Sequence, residues 1–99
     1  MTTLGIDLGT GSVKAAVVSA DGRMLGEASR SYEVAGPEPG WAQSDPLEWL
    51  AAVNEVVARV SAEADCPIDV VGFSGQMHGV VVTDGDLVPL LPAILWADA

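Results

Sequence analysis

The sequence predicts an α/β fold built on a mixed sheet, and three observations predict it. Short turns join three apolar-rich runs across residues 3–34, the pattern of an antiparallel meander. One stretch of helical periodicity follows, opened by Asp45 and Pro46. Next comes a nearly all-apolar run, Ile68 to Phe73, of the kind expected in the buried middle of a sheet. A strand that rejoins a sheet through a helix crosses over right-handedly and lies parallel to its neighbour. Meander and crossover together make the sheet mixed.

Each element has its own grounds. Thr3 to Leu8 reads as a short strand, stopped by Gly9-Thr10-Gly11. Ser12 to Val18 is the second strand, and Ser19-Ala20-Asp21-Gly22 turns the chain. Met24 to Val34 alternates loosely and gives a third. Residues 35–46, "AGPEPGWAQSDP", carry three prolines, two glycines and no periodicity, so they predict a loop. That loop ends in a helix start. Asp45 can cap, Pro46 suits the first helical position, and Glu48 lies three residues after the cap. From Leu47 to about Ala64, Leu50, Val53, Val57 and Val60 recur at helical spacing, with Trp49 and Val56 alongside. Asp65-Cys66-Pro67 breaks the helix. Asp84-Gly85-Asp86 turns a hairpin out of "VVVT" (80–83), and Ala93 to Trp96 is a last candidate strand. One helix covers one face of the sheet, and the chain stops just after an apolar run. Residues 1–99 are therefore expected to be the incomplete first part of a larger domain.

Composition narrows the function classes. The chain has 99 residues, enough for one small domain, and 49% of them are apolar. Fourteen acidic residues against four basic ones give a net charge of −10. Such a surface repels nucleic-acid backbones and anionic lipid, so neither nucleic acid nor membrane is an expected partner. A phosphorylated ligand must then be held locally, by backbone amides, a metal or one well-placed cation. The lone cysteine, Cys66, excludes an internal disulfide and reads as a small, partly buried hydrophobe. The start "MTTLGIDLG" has no basic, apolar leader, and no run approaches the roughly 18 apolar residues a membrane span needs. The expected location is the cytoplasm.

Two stretches carry chemistry. In "GIDLGTGSVK" (5–14), Asp7 ends an apolar strand, where a buried carboxylate needs a cation or several donors. Gly9, Thr10, Gly11 and Ser12 follow directly. The glycines let a ligand approach the backbone, successive N–H groups can converge on an anion, and the two hydroxyls add donors. Lys14, the only lysine, lies just beyond. Oxygen ligands for Mg²⁺, N–H groups for phosphates and one cation are what a nucleotide requires. The plainer alternative is a hairpin turn with a buried, hydrogen-bonded Asp. The turn joins strand to strand, which excludes both the Walker loop and the dinucleotide glycine motif.

The second stretch is "GFSGQMHG" (72–79). His78 is the only histidine. In isolation it reads as a loop residue packed on Met77 and Phe73. Its position after a buried, parallel-type strand gives it a second reading, because ligands gather at the carboxyl ends of such strands. Ser74, Gly75, Gln76 and His78 then offer polar groups suited to a polyhydroxylated ligand.

Together "GIDLGTGSVK", "PGWAQSDPLEW", "GFSGQMHG" and "PAILWADA" resemble, in order and approximate spacing, the start of FGGY-family carbohydrate kinases, across essentially all 99 residues. "GQMHG" with "PGWAQSDP" is most similar to the members that use ATP to phosphorylate D-xylulose at its 5-hydroxyl. The resemblance implies a ribonuclease H-like, actin-type ATPase fold, in which two α/β domains close over ATP and sugar. Residues 1–99 would be the N-terminal part of the first domain, with the second absent. Carried over residue by residue, Asp7 matches the acid near Mg²⁺ and the transferring phosphate. Gly9, Thr10, Gly11 and Ser12 match the phosphate loop, and Lys14 matches a basic residue beside it. Met77 and His78, preceded by Gln76, match the pair that contacts the sugar. The family's general-base Asp lies outside this chain, so these residues alone are expected to lack kinase activity. The resemblance allows a homodimeric parent. Two alternatives stay open: another FGGY substrate such as gluconate, and a non-enzymatic, actin-like nucleotide-binding module.

Overall fold

The computed structural model describes residues 1–36, 42–75 and 81–95, with the backbone alone at Ile94. Strands β1 (Thr3–Leu8), β2 (Ser12–Val18) and β3 (Met24–Ser31) form the meander. Helix α1 (Pro46–Ala64) crosses to β5 (Val70–Gly75), giving a four-stranded sheet of order β3-β2-β1-β5. The β1–β2 and β2–β3 pairs are antiparallel, and β1–β5 is parallel. The predicted mixed sheet is present.

The period of two along the strands decides which face is dry. Leu4 and Ile6 of β1, Val13, Ala15 and Val17 of β2 and Ala28 of β3 point to one side, onto Ala52, Val56 and Val60 of α1. That helical stripe is rotated from the expected one: Leu50 is 57% exposed. Small and β-branched residues four apart let the helix lie close on the sheet. The approach is tightest at Gly26, where an added Cβ would stand 3.0 Å from the Val60 carbonyl oxygen. Arg30 and Glu55 pair at 3.3 Å across the helix–sheet boundary.

The helix starts as predicted. The Asp45 carboxylate accepts from the Leu47 N–H at 2.9 Å, and Pro46 takes the first turn. Glu48 does not complete a capping box; its carboxylate accepts instead from the Glu33 N–H at 3.2 Å. Asp65, in the left-handed region at φ 49°, ends α1 by donating its N–H to the Ser61 carbonyl.

Three expectations are corrected. β3 stops at Ser31 and not at Val34: Tyr32 adds one last bond to Gly11, and Glu33 then turns away, its N–H donating to Glu48 and its carbonyl accepting from the Ser44 hydroxyl. β5 runs two residues later than expected and is an edge strand, exposed along its length, with Phe73 75% exposed. Helix α1 lies over β2 and β3 and barely reaches β1, so nothing among the described residues covers β5. The proline-rich segment is not wholly a loop. Gln43–Ser44 (β4) pairs antiparallel with Ala93–Ile94 (β6), around a second small core of Ala42, Ala93 and Leu95 with Trp49. The hairpin expected around Asp84-Gly85-Asp86 is present in short form: Thr83 bridges Pro89, the Asp84 N–H donates to the Val88 carbonyl and the Leu90 N–H to the Val82 carbonyl, and the Asp84 carboxylate accepts from the Asp86 and Val88 N–H groups.

The start of β5 is tied to the start of β1. Asp69 accepts from the Thr2 N–H through its carboxylate at 2.8 Å and donates its own N–H to the Thr2 carbonyl at 2.9 Å. Among the described residues, no helix is long and apolar enough to cross a membrane.

Candidate functional site

Asp7 is the penultimate residue of β1, and strand register gives it two partners: Lys14 on β2 and Ser74 on β5. Lys14 is in turn paired with Ser29 on β3. Residues directly opposite one another share a face. Ser74, Asp7, Lys14 and Ser29 therefore form a polar row across the face turned away from α1. Asp7 is exposed, which corrects the expectation of a buried carboxylate. Its neighbours Ile6 and Leu8 face the helix, and alternation sends Asp7 the other way. Among the described residues Asp7 and Lys14 make no ion pair with each other.

The next row is bare over three strands, Gly72, Gly5 and Ala16, and ends in Glu27 on β3. A Cβ built at Gly5 or Gly72 would meet nothing within 4 Å. Above them lies a shallow cavity of about 340 Å³, lined by Gly5, Ile6, Asp7, Gly72, Phe73 and Ser74. A carboxylate, a cation and two hydroxyls thus border an open floor of backbone.

The turn from β1 to β2 is tight. The Gly9 N–H donates to the Ser12 carbonyl at 2.9 Å, and a Cβ at Gly9 would press on that same oxygen at 3.1 Å. At Gly11 the corresponding space is open, so a ligand can reach the backbone there. Thr10 and Ser12 flank it with hydroxyls. Sequence reasoning missed the residue that holds this turn. The Tyr32 N–H donates to the Gly11 carbonyl at 3.0 Å, and its hydroxyl lies within donating reach of the carbonyls of Ser12, at 3.0 Å, and Gly9. Burial, and secondarily the Asp7 carboxylate, push the Tyr32 phenol above its ordinary value, so it remains a donor. Its ring packs on Trp49 with centroids 6.3 Å apart. The Trp49 Nε1–H donates to Ser44 Oγ at 2.7 Å, and the Ser44 hydroxyl donates to the Glu33 carbonyl at 3.0 Å. One signal was available in the sequence: a lone tyrosine at the end of an alternating strand, whose hydroxyl would need a partner once buried.

The residues expected to meet a sugar follow β5 in the sequence. β5 ends at Gly75, level with Leu8 of β1, so both strands finish together. Gln76, Met77 and His78 themselves lie outside the described residues. So do Pro37 to Trp41 and the last four positions.

Comparison with known proteins fits this arrangement. The model of the N-terminal domain of the FGGY family of carbohydrate kinases matches residues 2–99. The xylulose kinase of Lactococcus lactis subsp. lactis is 39% identical over 98 residues, covering 96% of this chain and 20% of that protein. The gluconokinase of Bacillus subtilis is 36% identical over 96 residues, covering 96% of this chain and 19% of its own length. The crystal structure of xylulose kinase from Rhodospirillum rubrum superimposes with a TM-score of 0.96 at 29% identity, over all of this chain and 21% of that one. This chain therefore spans about a fifth of the length of the relatives it matches. Its mixed sheet and crossover are the opening of the actin-like ATPase fold those kinases share. With the match running through the turn, the helix and β5 alike, the chain belongs to the FGGY family of carbohydrate kinases.

Proposed function

We propose that this chain contributes the phosphate side and part of the sugar side of an ATP-dependent kinase that phosphorylates D-xylulose at its 5-hydroxyl. One observation carries the reading. The Gly9–Ser12 turn and the strand leading to Gln76, Met77 and His78 leave the sheet level with each other, with Asp7 and Lys14 beside them. Phosphate chemistry and polyol recognition then meet at one edge.

The residues fit the groups the reading requires. Mg²⁺ prefers oxygen ligands and keeps several waters, so a single exposed carboxylate is an adequate protein contribution. Asp7 would serve there, with the Thr10 and Ser12 hydroxyls and the backbone at Gly11 directed to phosphate oxygens. Lys14 adds the one positive charge on this face. Bound ATP and Mg²⁺ would supply the transferable phosphoryl group and neutralise its oxygens. Gln76 and His78 would bind sugar hydroxyls, and Met77 would pack on the carbon chain. The carboxylate that accepts the hydroxyl proton belongs to a part of the kinase outside residues 1–99.

Similarity to xylulose kinases supports D-xylulose. Similarity of the same order to a gluconokinase supports gluconate as a second reading. The test is to express the complete reading frame that contains this chain and follow ADP release with D-xylulose, D-gluconate and glycerol. We expect D-xylulose to lead in kcat/KM by at least about tenfold, the low end of what a small difference in substrate contacts produces. A lead for gluconate would move the substrate. Nucleotide binding with no sugar turnover would leave a binding module.

A further inference from the structure

We infer that Tyr32 is a positioning residue of the phosphate site, holding the Gly9–Ser12 turn in its ligand-ready shape through its N–H on the Gly11 carbonyl and its hydroxyl set between the Gly9 and Ser12 carbonyls. The inference rests on the kinase reading of that turn. A turn that receives phosphate must keep its carbonyl oxygens off the ligand, because each carries partial negative charge. Here the Gly11 carbonyl accepts from the Tyr32 N–H, and those of Gly9 and Ser12 face the Tyr32 hydroxyl. The opposite side of the turn stays open at Gly11.

The hydroxyl is itself held in place. Tyr32 is 6% exposed, and its ring is backed by Trp49. Trp49 is fixed in turn by Ser44, whose hydroxyl is anchored on the Glu33 carbonyl. This succession runs from α1 through β4 to the turn and consists only of protein groups. A turn braced by the protein's own side chains spends less binding energy on ordering itself. Sequence distance conceals the arrangement, since Tyr32 lies 23 residues from Gly9.

The test uses the protein from the complete reading frame. Tyr32→Phe keeps the ring against Trp49 and removes only the hydroxyl. Calorimetry with Mg·ADP, in the absence of sugar, should show affinity weakened about three- to tenfold, as expected for one lost hydrogen-bonding group. The KM for ATP should rise by a similar factor while the KM for sugar stays within about twofold. Val56→Ala, in the core between helix and sheet, serves as the stability control. It should lower the melting temperature and leave Mg·ADP affinity unchanged. Wild-type affinity in Tyr32→Phe overturns the inference and leaves the kinase reading standing, as does an equal loss in Val56→Ala. Failure of the wild-type protein to bind Mg·ADP overturns the kinase reading of the turn and this inference with it. Amide exchange on the unaltered protein gives a second readout should Tyr32→Phe not fold. The Gly9 and Tyr32 amides should be protected before nucleotide is added; protection that arises only on binding overturns the inference.

Discussion

Asp7 and Lys14 face each other across the β1–β2 hairpin, on the side of the sheet turned away from α1. Both are exposed, and neither contributes to the core. A strand that is apolar on one side thereby presents opposite charges on the other, next to a turn a ligand can enter.

Removing the Asp7 charge should separate function from stability. In the full kinase, Asp7→Asn is expected to lower kcat by about a hundredfold or more, the scale set by losing one preorganised electrostatic contact. Unfolding free energy should change by no more than about 0.5 kcal/mol, as for a surface site. Steady-state kinetics and urea unfolding on the same preparation check both halves.

His78→Ala should divide the kinetics differently. On the proposed reading, in which His78 binds a sugar hydroxyl, the KM for sugar is expected to rise by about tenfold or more. The KM for ATP should hold. A mutant that loses ATP affinity instead would take His78 away from the sugar.

The pH dependence of stability has a definite sign at Tyr32. Its phenol is raised above the ordinary value by burial and then by Asp7. Below about pH 10 folded and unfolded chains both keep the proton, and the contribution is fully present. Above that the unfolded chain releases it first, so stability falls as pH rises through the folded value. Tyr32 is the only tyrosine, which lets phenolate absorbance follow it directly. Tyr32→Phe should lack this part of the alkaline decline in urea midpoints between pH 8 and 11.

Glycine substitutions should report on packing. Gly26→Ala forces a Cβ to 3.0 Å from a backbone oxygen of α1 and is expected to cost about 1–3 kcal/mol. Gly5→Ala meets open space and should be neutral or stabilising by up to about 1 kcal/mol, as alanine loses less freedom in a strand. Thermal unfolding of the two variants side by side checks the contrast.

Local signals made the first half of the fold legible. The bounds of β1 and β2 follow from apolar runs cut by glycines, and the start of α1 from Asp45 and Pro46. Less legible were features set by partners distant in the chain. The pairing of Gln43–Ser44 with Ala93–Ile94 spans some fifty residues and involves two residues on each side. Leu50 looked like core by period alone, yet the helix turns Ala52, Val56 and Val60 inward, with its closest approach to Gly26 at Val60. At the site, charge and glycine content pointed to Asp7, Lys14 and the turn. The lone tyrosine signalled a buried hydroxyl in need of a partner, but that its partners are the carbonyls of a turn some twenty residues away appeared only in three dimensions.

The level ending of β1 and β5 has a consequence for how such enzymes diversify. Neighbouring strands lie about 4.8 Å apart, and the Thr2–Asp69 bonds pin their relative register at the far end. On the proposed reading, the distance between phosphate turn and sugar loop is thus a property of the sheet and of neither loop. Residues 76–80 can change length or side chain while the origin of the loop stays put. Selection can then explore new sugars on one strand end without disturbing phosphate handling on the other.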